Sequence, residues 1–177
     1  SIEITPMQMA GAYSAFPNQG VRMTPLPILE VLDREGNVIE QHRPEAHEAL
    51  RADTAYIMTN LLQGVVQRGT AASAAALKWP LGGKTGTTDD YTDAWFVGFD
   101  PDITVGIWVG YDQKRTIGAN QSGTVAALPI WIEIMKPWVA RQRAASPTRP
   151  EFTRPTNVVV VMTSRGPEVF IAGTEPH

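Results

Sequence analysis

The residues of this chain best suited to chemistry lie in one short run, Gly82-Gly83-Lys84-Thr85-Gly86-Thr87-Thr88. A lysine, a hydroxyl, a glycine and a second hydroxyl along an extended backbone make a receptor for a carboxylate. Alternate side chains of a strand share a face, so Lys84 and Gly86 point one way while Thr85 and Thr87 point the other. Gly86 leaves room for a ligand to lie against the backbone. At a sheet edge, the free N–H and C=O groups also pair with an extended peptide. Such a strand suits the acidic end of a peptide. The bland alternative is a surface lysine before a glycine turn, and the four residues alone do not separate the two.

Other candidates are weaker. His42, His47 and His177 lack the spacing of a metal site, and the first two read as solvated residues of a polar linker. Asp89, Asp90 and Asp93 follow the lysine strand and read as a solvated loop with cap or turn roles, since a calcium site needs more oxygen ligands in a recognisable loop. Neither glycine-rich phosphate motif, G-x-x-x-x-G-K-[ST] or G-x-G-x-x-G, occurs. The absence of cysteine excludes thiolate catalysis, Cys-ligated zinc and disulfides. No metal and no cofactor is therefore expected. With a net charge of −3 and no basic face, no nucleic-acid partner is expected either. Trp95 and Trp108 read as core residues.

Several elements must hold that run in place. At 177 residues, 43% of them hydrophobic, the chain can bury a core of its own. Thr5-Pro6-Met7-Gln8 opens a helix with a capping box, followed by a stripe of Met9, Ala12, Tyr13 and Phe16 that ends before Gly20. Ile28 to Leu32 and Val38-Ile39, around Gly36-Asn37, predict a β-hairpin. Arg51 to Arg68 predicts the strongest helix, with Asp53 as cap, Met58, Leu61, Leu62 and Val65 as its apolar face, and Gly69 as its stop. The alanine-rich stretch from Thr70 to Leu77 predicts a short helix or turn.

Three strands then follow closely: the lysine run, Ala94 to Phe99, and Ile103 to Tyr111, with Asp100-Pro101-Asp102 as an antiparallel turn. Gly98, Gly106 and Gly110 mark bends or close backbone approaches inside them. A last helix is predicted from Val125 to Gln142, with Trp131, Ile134, Met135 and Trp138 on one face, and Pro137 should kink it or end it early. A linker from Ala144 to Pro155 follows, and Arg141, Arg143, Arg149 and Arg154 make it and its approach thinly basic and solvated. Val158 to Met162 and Val169 to Ile171 predict a final hairpin around Ser164-Arg165-Gly166-Pro167. No run approaches the ~20 apolar residues that span a bilayer.

The K-T-G triplet is one of three elements of serine β-lactamases and penicillin-binding proteins, beside S-x-x-K and S-D-N. The Gly82 to Thr88 run, Asp93-Ala94-Trp95-Phe96-Val97-Gly98 and Trp108-Val109-Gly110-Tyr111-Asp112 together resemble the bifunctional class A penicillin-binding proteins of the 1A type. Thr5 to Tyr13, Gly64 to Ala71, Ala127 to Trp131 and Phe170 to Pro176 resemble that family as well, in the same order. The resemblance implies an α+β fold: part of a transpeptidase domain of the penicillin-binding-protein and serine β-lactamase type, with antiparallel strands covered by helices. It implies that 1–143 is the C-terminal portion of that domain and 144–177 a linker with a small extension. It implies that Lys84 keeps the pocket positive and helps move protons. Thr85 and Thr87 would bind the carboxylate of a terminal D-alanine or of a β-lactam, with Gly86 between them, and the Thr87 N–H would supply half of an oxyanion hole.

None of Ser1, Ser14, Ser73, Ser122, Ser146 and Ser164 begins S-x-x-K or S-x-N. The expectation is a piece of a longer protein, without its nucleophile, its glycosyltransferase domain or its membrane anchor, and starting without an initiator methionine. Its partners would be the D-Ala-D-Ala end of a peptidoglycan stem peptide, β-lactams, and the N-terminal remainder of the parent chain. Its place would be the periplasmic face of the bacterial inner membrane. Alone it should be inactive, and the strand from Ile103 to Tyr111 should have one unpaired edge. The competing class is a non-catalytic binding or scaffold module that keeps only the carboxylate-holding strand.

Overall fold

The structure, a computed structural model, describes residues 3–146, 148–164 and 166–176. Ser1, His177 and the Arg165 position of the last turn therefore lie outside the described residues.

Helix α1 (Pro6–Tyr13) begins as its sequence predicts. The Thr5 hydroxyl accepts from the Gln8 N–H at 3.2 Å while Gln8 Oε1 accepts from the Thr5 N–H at 3.0 Å. The helix stops sooner than its stripe: Ala12 is exposed, and Phe16 lies beyond the end, edge-on to Tyr13 at 5.4 Å. Two small antiparallel pairs follow, β1 (Val21–Met23) with β4 (Ala46–Glu48), and the expected hairpin β2 (Glu30–Leu32) with β3 (Val38–Gln41). His47 thus sits in a strand rather than a linker. Its pairing has no signal in the sequence, because each strand is only three residues long.

Helix α2 (Ala52–Arg68) corrects two expectations. Its cap residue is Arg51, and Asp53 lies inside the first turn, where its carboxylate accepts from the Thr54 N–H at 2.7 Å. The buried face is Ala55, Thr59, Leu62 and Val66, while Leu61 stays 60% exposed. Thr59 tolerates burial because its hydroxyl donates to the Ala55 C=O at 2.9 Å. Gly69 ends the helix, donating to Val65 O, and a 3-10 helix (Ala72–Leu77) leads on.

The central sheet is antiparallel, in the order β5 (Gly82–Thr87), β6 (Asp93–Phe99), β7 (Thr104–Gly110). Among the described residues β7 pairs only with β6, so its other edge is open, as is that of β5. After a π-helical turn (Gly123–Ala127), α3 (Leu128–Ala145) covers the face to which Phe96 points. Trp131 meets Phe96 edge-on at 5.1 Å and packs so closely on β6 that a Cβ at Gly98 would lie 2.7 Å from its ring. The core gathers Val66, Trp79, Leu81, Phe96, Leu128, Trp131 and Met135. On the opposite face, α1 lies over β7, with Ala10 beside Gly106.

Pro137 does not end α3, which continues through Ala144 to Ala145. Proline removes one hydrogen bond to the carbonyl four residues earlier, and here Pro137 and Glu133 are both exposed, so water can satisfy that carbonyl. Ile134, expected inside, is 44% exposed, and Val139 is buried instead. Arg143 belongs to the fold and not to a solvated linker: it donates to the carbonyls of Leu77 and Lys78 at 2.6 and 3.1 Å. The final hairpin, β8 (Val158–Thr163) with β9 (Gly166–Ile171), forms as expected. It is tied to α2 by Asn157 Nδ2 donating to Asp53 at 2.8 Å, and Phe152 packs edge-on to Phe99 at 5.8 Å. No helix among the described residues is long and apolar enough to cross a membrane.

Candidate functional site

Lys84, Thr85, Gly86 and Thr87 all lie on β5, and the register settles which way their backbone faces. Thr87 stands opposite Ala94, and one step beyond, the Thr88 N–H donates to Asp93 O at 3.2 Å. Hydrogen-bonded pairs alternate along an antiparallel ladder. Gly86 and Lys84 therefore turn their N–H and C=O toward β6, while Thr85 and Thr87 turn theirs to the open edge. Lys84 Nζ agrees with this, donating to the Thr85 C=O at 2.8 Å across that edge. An ammonium has three donors, so two remain.

The side chains follow the alternation expected of them. Thr85 and Thr87 share the face of their register partners Phe96 and Ala94, the face that α3 covers. There two more groups meet them, neither of which the sequence singled out as a site. Thr70 Oγ1, just past the end of α2, lies 3.1 Å from Thr85 Oγ1. The Gly123 N–H, in the turn before α3, donates to Thr87 Oγ1 at 3.0 Å. Gly123 rests on the strand backbone itself: a Cβ there would come within 2.7 Å of Gly86 O and closer still to Trp95 O. Thr124 Oγ1 donates to Thr70 O at 3.3 Å, joining the two supports.

The turn after β5 is a hydroxyl network. Thr88 Oγ1 accepts from the N–H groups of Thr92 and Asp93, both at 3.0 Å, and Asp93 accepts from the Thr92 hydroxyl at 2.8 Å and from Trp108 Nε1 at 2.9 Å. Asp93 is thus a structural brace for the strand end, while Asp89 and Asp90 are exposed. Trp95 and Trp108 sit 6.4 Å apart on the other face, only partly buried. Among the described residues no group of three or more His, Cys, Asp or Glu is placed to hold a metal ion. His42 instead meets Glu40 at 2.8 Å near the surface.

The sequence also passed over Asp100. Its carboxylate is fully buried in the β6–β7 turn. Oδ1 accepts from the N–H groups of Asp102 and Ile103, both at 2.8 Å, and Oδ2 accepts from the indoles of Trp79 at 2.9 Å and Trp138 at 2.7 Å. It holds the far end of the sheet to the 3-10 helix region and to α3.

An antiparallel sheet between helices, with K-T-G-T on an open edge strand, is the arrangement of the serine transpeptidase and β-lactamase class. The model of the penicillin binding protein transpeptidase domain matches residues 1–136. The chain belongs to that family. Penicillin-binding protein 1A of Aquifex aeolicus (strain VF5) is 41% identical to it, over 100% of this chain but only 25% of that protein. The solved penicillin-binding protein 1A of Haemophilus influenzae superposes with a TM-score of 0.85 at 25% identity, covering 98% of this chain and 33% of that one. Penicillin-binding protein 3 of Mycobacterium tuberculosis, solved in complex with ampicillin, gives a TM-score of 0.62 at 27% identity over 86% of this chain and 37% of the other. The chain thus spans between 25% and 37% of the length of these relatives.

Proposed function

We propose that this chain is the carboxylate-binding wall of a peptidoglycan D,D-transpeptidase site, in a parent protein of the bifunctional 1A type. One observation carries the reading. β5 presents two hydroxyls on one face and the outward N–H of Thr87 on the same open edge, beside the Lys84 ammonium.

In the parent, a serine from an S-x-x-K motif outside this chain attacks the carbonyl of the penultimate D-alanine and yields its proton to the motif's lysine. The amide C–N bond breaks, and D-alanine leaves with a proton on its amine. A neighbouring stem-peptide amine then attacks the ester carbonyl, the bond between that carbonyl carbon and the serine Oγ breaks, the amine's proton returns to the serine oxygen by way of the motif's lysine, and the amide cross-link forms. The residues of this chain act on charge. Thr85 and Thr87 donate to the terminal carboxylate, and the Thr87 N–H faces the oxyanion, where such a donor is worth about 10²–10³ in rate. Lys84 keeps the edge positive. A β-lactam carries a carboxylate beside its reactive carbonyl and occupies the same cradle. The reading includes a periplasmic location, where peptidoglycan is cross-linked.

Labelling with a fluorescent penicillin tests it. The parent with its S-x-x-K and S-x-N motifs should take the label covalently, and the isolated chain should not. A labelled isolated chain would overturn the division of the site, and an unlabelled parent would overturn the acyl-transfer reading.

A further inference from the structure

We propose that Thr70 is a positioning residue of the carboxylate cradle, fixing the Thr85 hydroxyl as a donor toward a bound carboxylate. The inference rests on the acyl-transfer reading and extends it to a residue outside K-T-G-T.

A threonine hydroxyl has one proton to give and can accept into its lone pairs. At Thr87 the roles are settled by the protein itself. The Gly123 amide, 3.0 Å away, can only donate, so Thr87 Oγ1 accepts and its own proton is left for a ligand. At Thr85 the contact is between two hydroxyls, Thr70 Oγ1 and Thr85 Oγ1 at 3.1 Å, and either can donate. A carboxylate accepts and cannot donate. Once one binds, the single proton of Thr85 goes to it. The Thr70–Thr85 bond then persists only with Thr70 as donor. Binding turns an ambiguous pair into a one-way relay, Thr70 O–H to Thr85 Oγ1 and Thr85 O–H to the carboxylate. Each link polarises the next.

The placement of Thr70 is built into the fold. Gly69 ends α2 so tightly that a Cβ there would lie 2.9 Å from the Val65 backbone, and the next residue is thereby turned onto β5. The Thr70 carbonyl accepts from Thr124 at 3.3 Å, beside the Gly123 that orients Thr87. One turn before α3 therefore supports both hydroxyls of the cradle: Thr87 directly and Thr85 through Thr70.

The test compares acylation rate constants of the full-length parent with benzylpenicillin and with its methyl ester, which lacks the carboxylate charge. Thr70→Val keeps the branched shape and removes the hydroxyl. The preference for the acid over the ester should fall roughly 3–10-fold, the worth of one neutral hydrogen bond. Thr70→Ser should restore most of it. Added to Thr85→Val, the Thr70→Val change should lower the preference no further. Equal slowing with both probes, or an unchanged preference, would overturn the proposal while leaving the acyl-transfer reading intact. If T70V does not fold, Thr70→Ala against Thr70→Ser gives the same ratio. Failure of the unmutated parent to be acylated by either probe would bring down both readings together.

Discussion

The two ends of the central sheet treat polar groups in opposite ways. At the β6–β7 turn, Asp100 is fully buried and receives four donors, two from backbone and two from indoles. Every oxygen there has its partners, and nothing is left to bind a ligand. At the other end, Thr87 has its acceptor role filled by Gly123 while its proton stays free, and the Thr85 and Thr87 backbones face an edge with no strand beside it among the described residues. One end is a closed network and holds the fold together. The other has been oriented but not completed, which is what a binding surface needs. The same three strands connect them, so the rigid end fixes the geometry of the receptive one.

Breaking the closed end should have the largest effect. Asp100→Ala strands four donors in a buried turn and should lower stability by about 3–5 kcal/mol, read as a shift in urea midpoint by tryptophan fluorescence. Asp100→Asn should be nearly as harmful despite its shape. Each carboxylate oxygen takes two donors, and an amide must set its NH₂ against one of those pairs. A mild effect of the asparagine variant would mean that the network is not the anchor described.

The open end should behave in the reverse manner, with a large effect on chemistry and a smaller one on stability. In the parent, Thr87→Val removes the hydroxyl whose proton is free, and a hydrogen bond to a carboxylate is worth about 1.5–3 kcal/mol. Acylation by benzylpenicillin should slow accordingly, roughly 10- to 100-fold, while stability falls by only about 1–3 kcal/mol, the cost of leaving the Gly123 N–H without its acceptor and less than that of Asp100→Ala. Unchanged acylation would remove Thr87 from the cradle.

How legible each end was in the sequence differs for a physical reason. K-T-G-T is contiguous, its strand alternates, and its turn residues are local, so the strand and the hairpin after it could be read directly. The closed end is assembled from distant residues. Trp79 and Trp138 reach Asp100 across 21 and 38 positions, and no local pattern joins them. Thr70 and Thr85, 15 positions apart, meet only because Gly69 turns the chain. The α2 face was misread because periodicity weighs Leu61 above Thr59. The fold buries the threonine instead, since its hydroxyl returns to its own helix. Pro137 lies within α3 without ending it, because Trp131, Met135 and Val139 on either side of it are held in the core, and tertiary packing of that kind overrides a local signal.

A smaller effect sharpens where the closed end stops. Arg143 lies over the Trp79 ring at 5.5 Å and caps two carbonyls of the 3-10 turn, at the exposed rim of the Asp100 network. Exposed charged contacts contribute little, so Arg143→Ala should cost about 0.5–1 kcal/mol by the same urea measurement. A loss as large as that of Asp100→Ala would extend the rigid unit out to the surface.

Asp53 is the intermediate case, a carboxylate buried at 4% exposure but paired with an Arg51 side chain that is 74% exposed. Hydrogen bonds from Arg51 and then Asn157 hold its carboxyl below the ordinary 3.8, at about 2. A lowered folded-state value means that the unfolded chain binds the proton first. The stabilisation is therefore fully present above about pH 4 and drains away as the pH falls toward 2. Its size should be the smallest of the four, because solvent screens the exposed arginine. Between pH 4 and 2 the stability of the unmutated protein should fall more steeply than that of Asp53→Asn, which has no proton to take up there. Since Asn157 is the link to the final hairpin, Asn157→Ala should give an intermediate slope. Coincident slopes for all three would mean that Asp53 does not fasten the hairpin to α2.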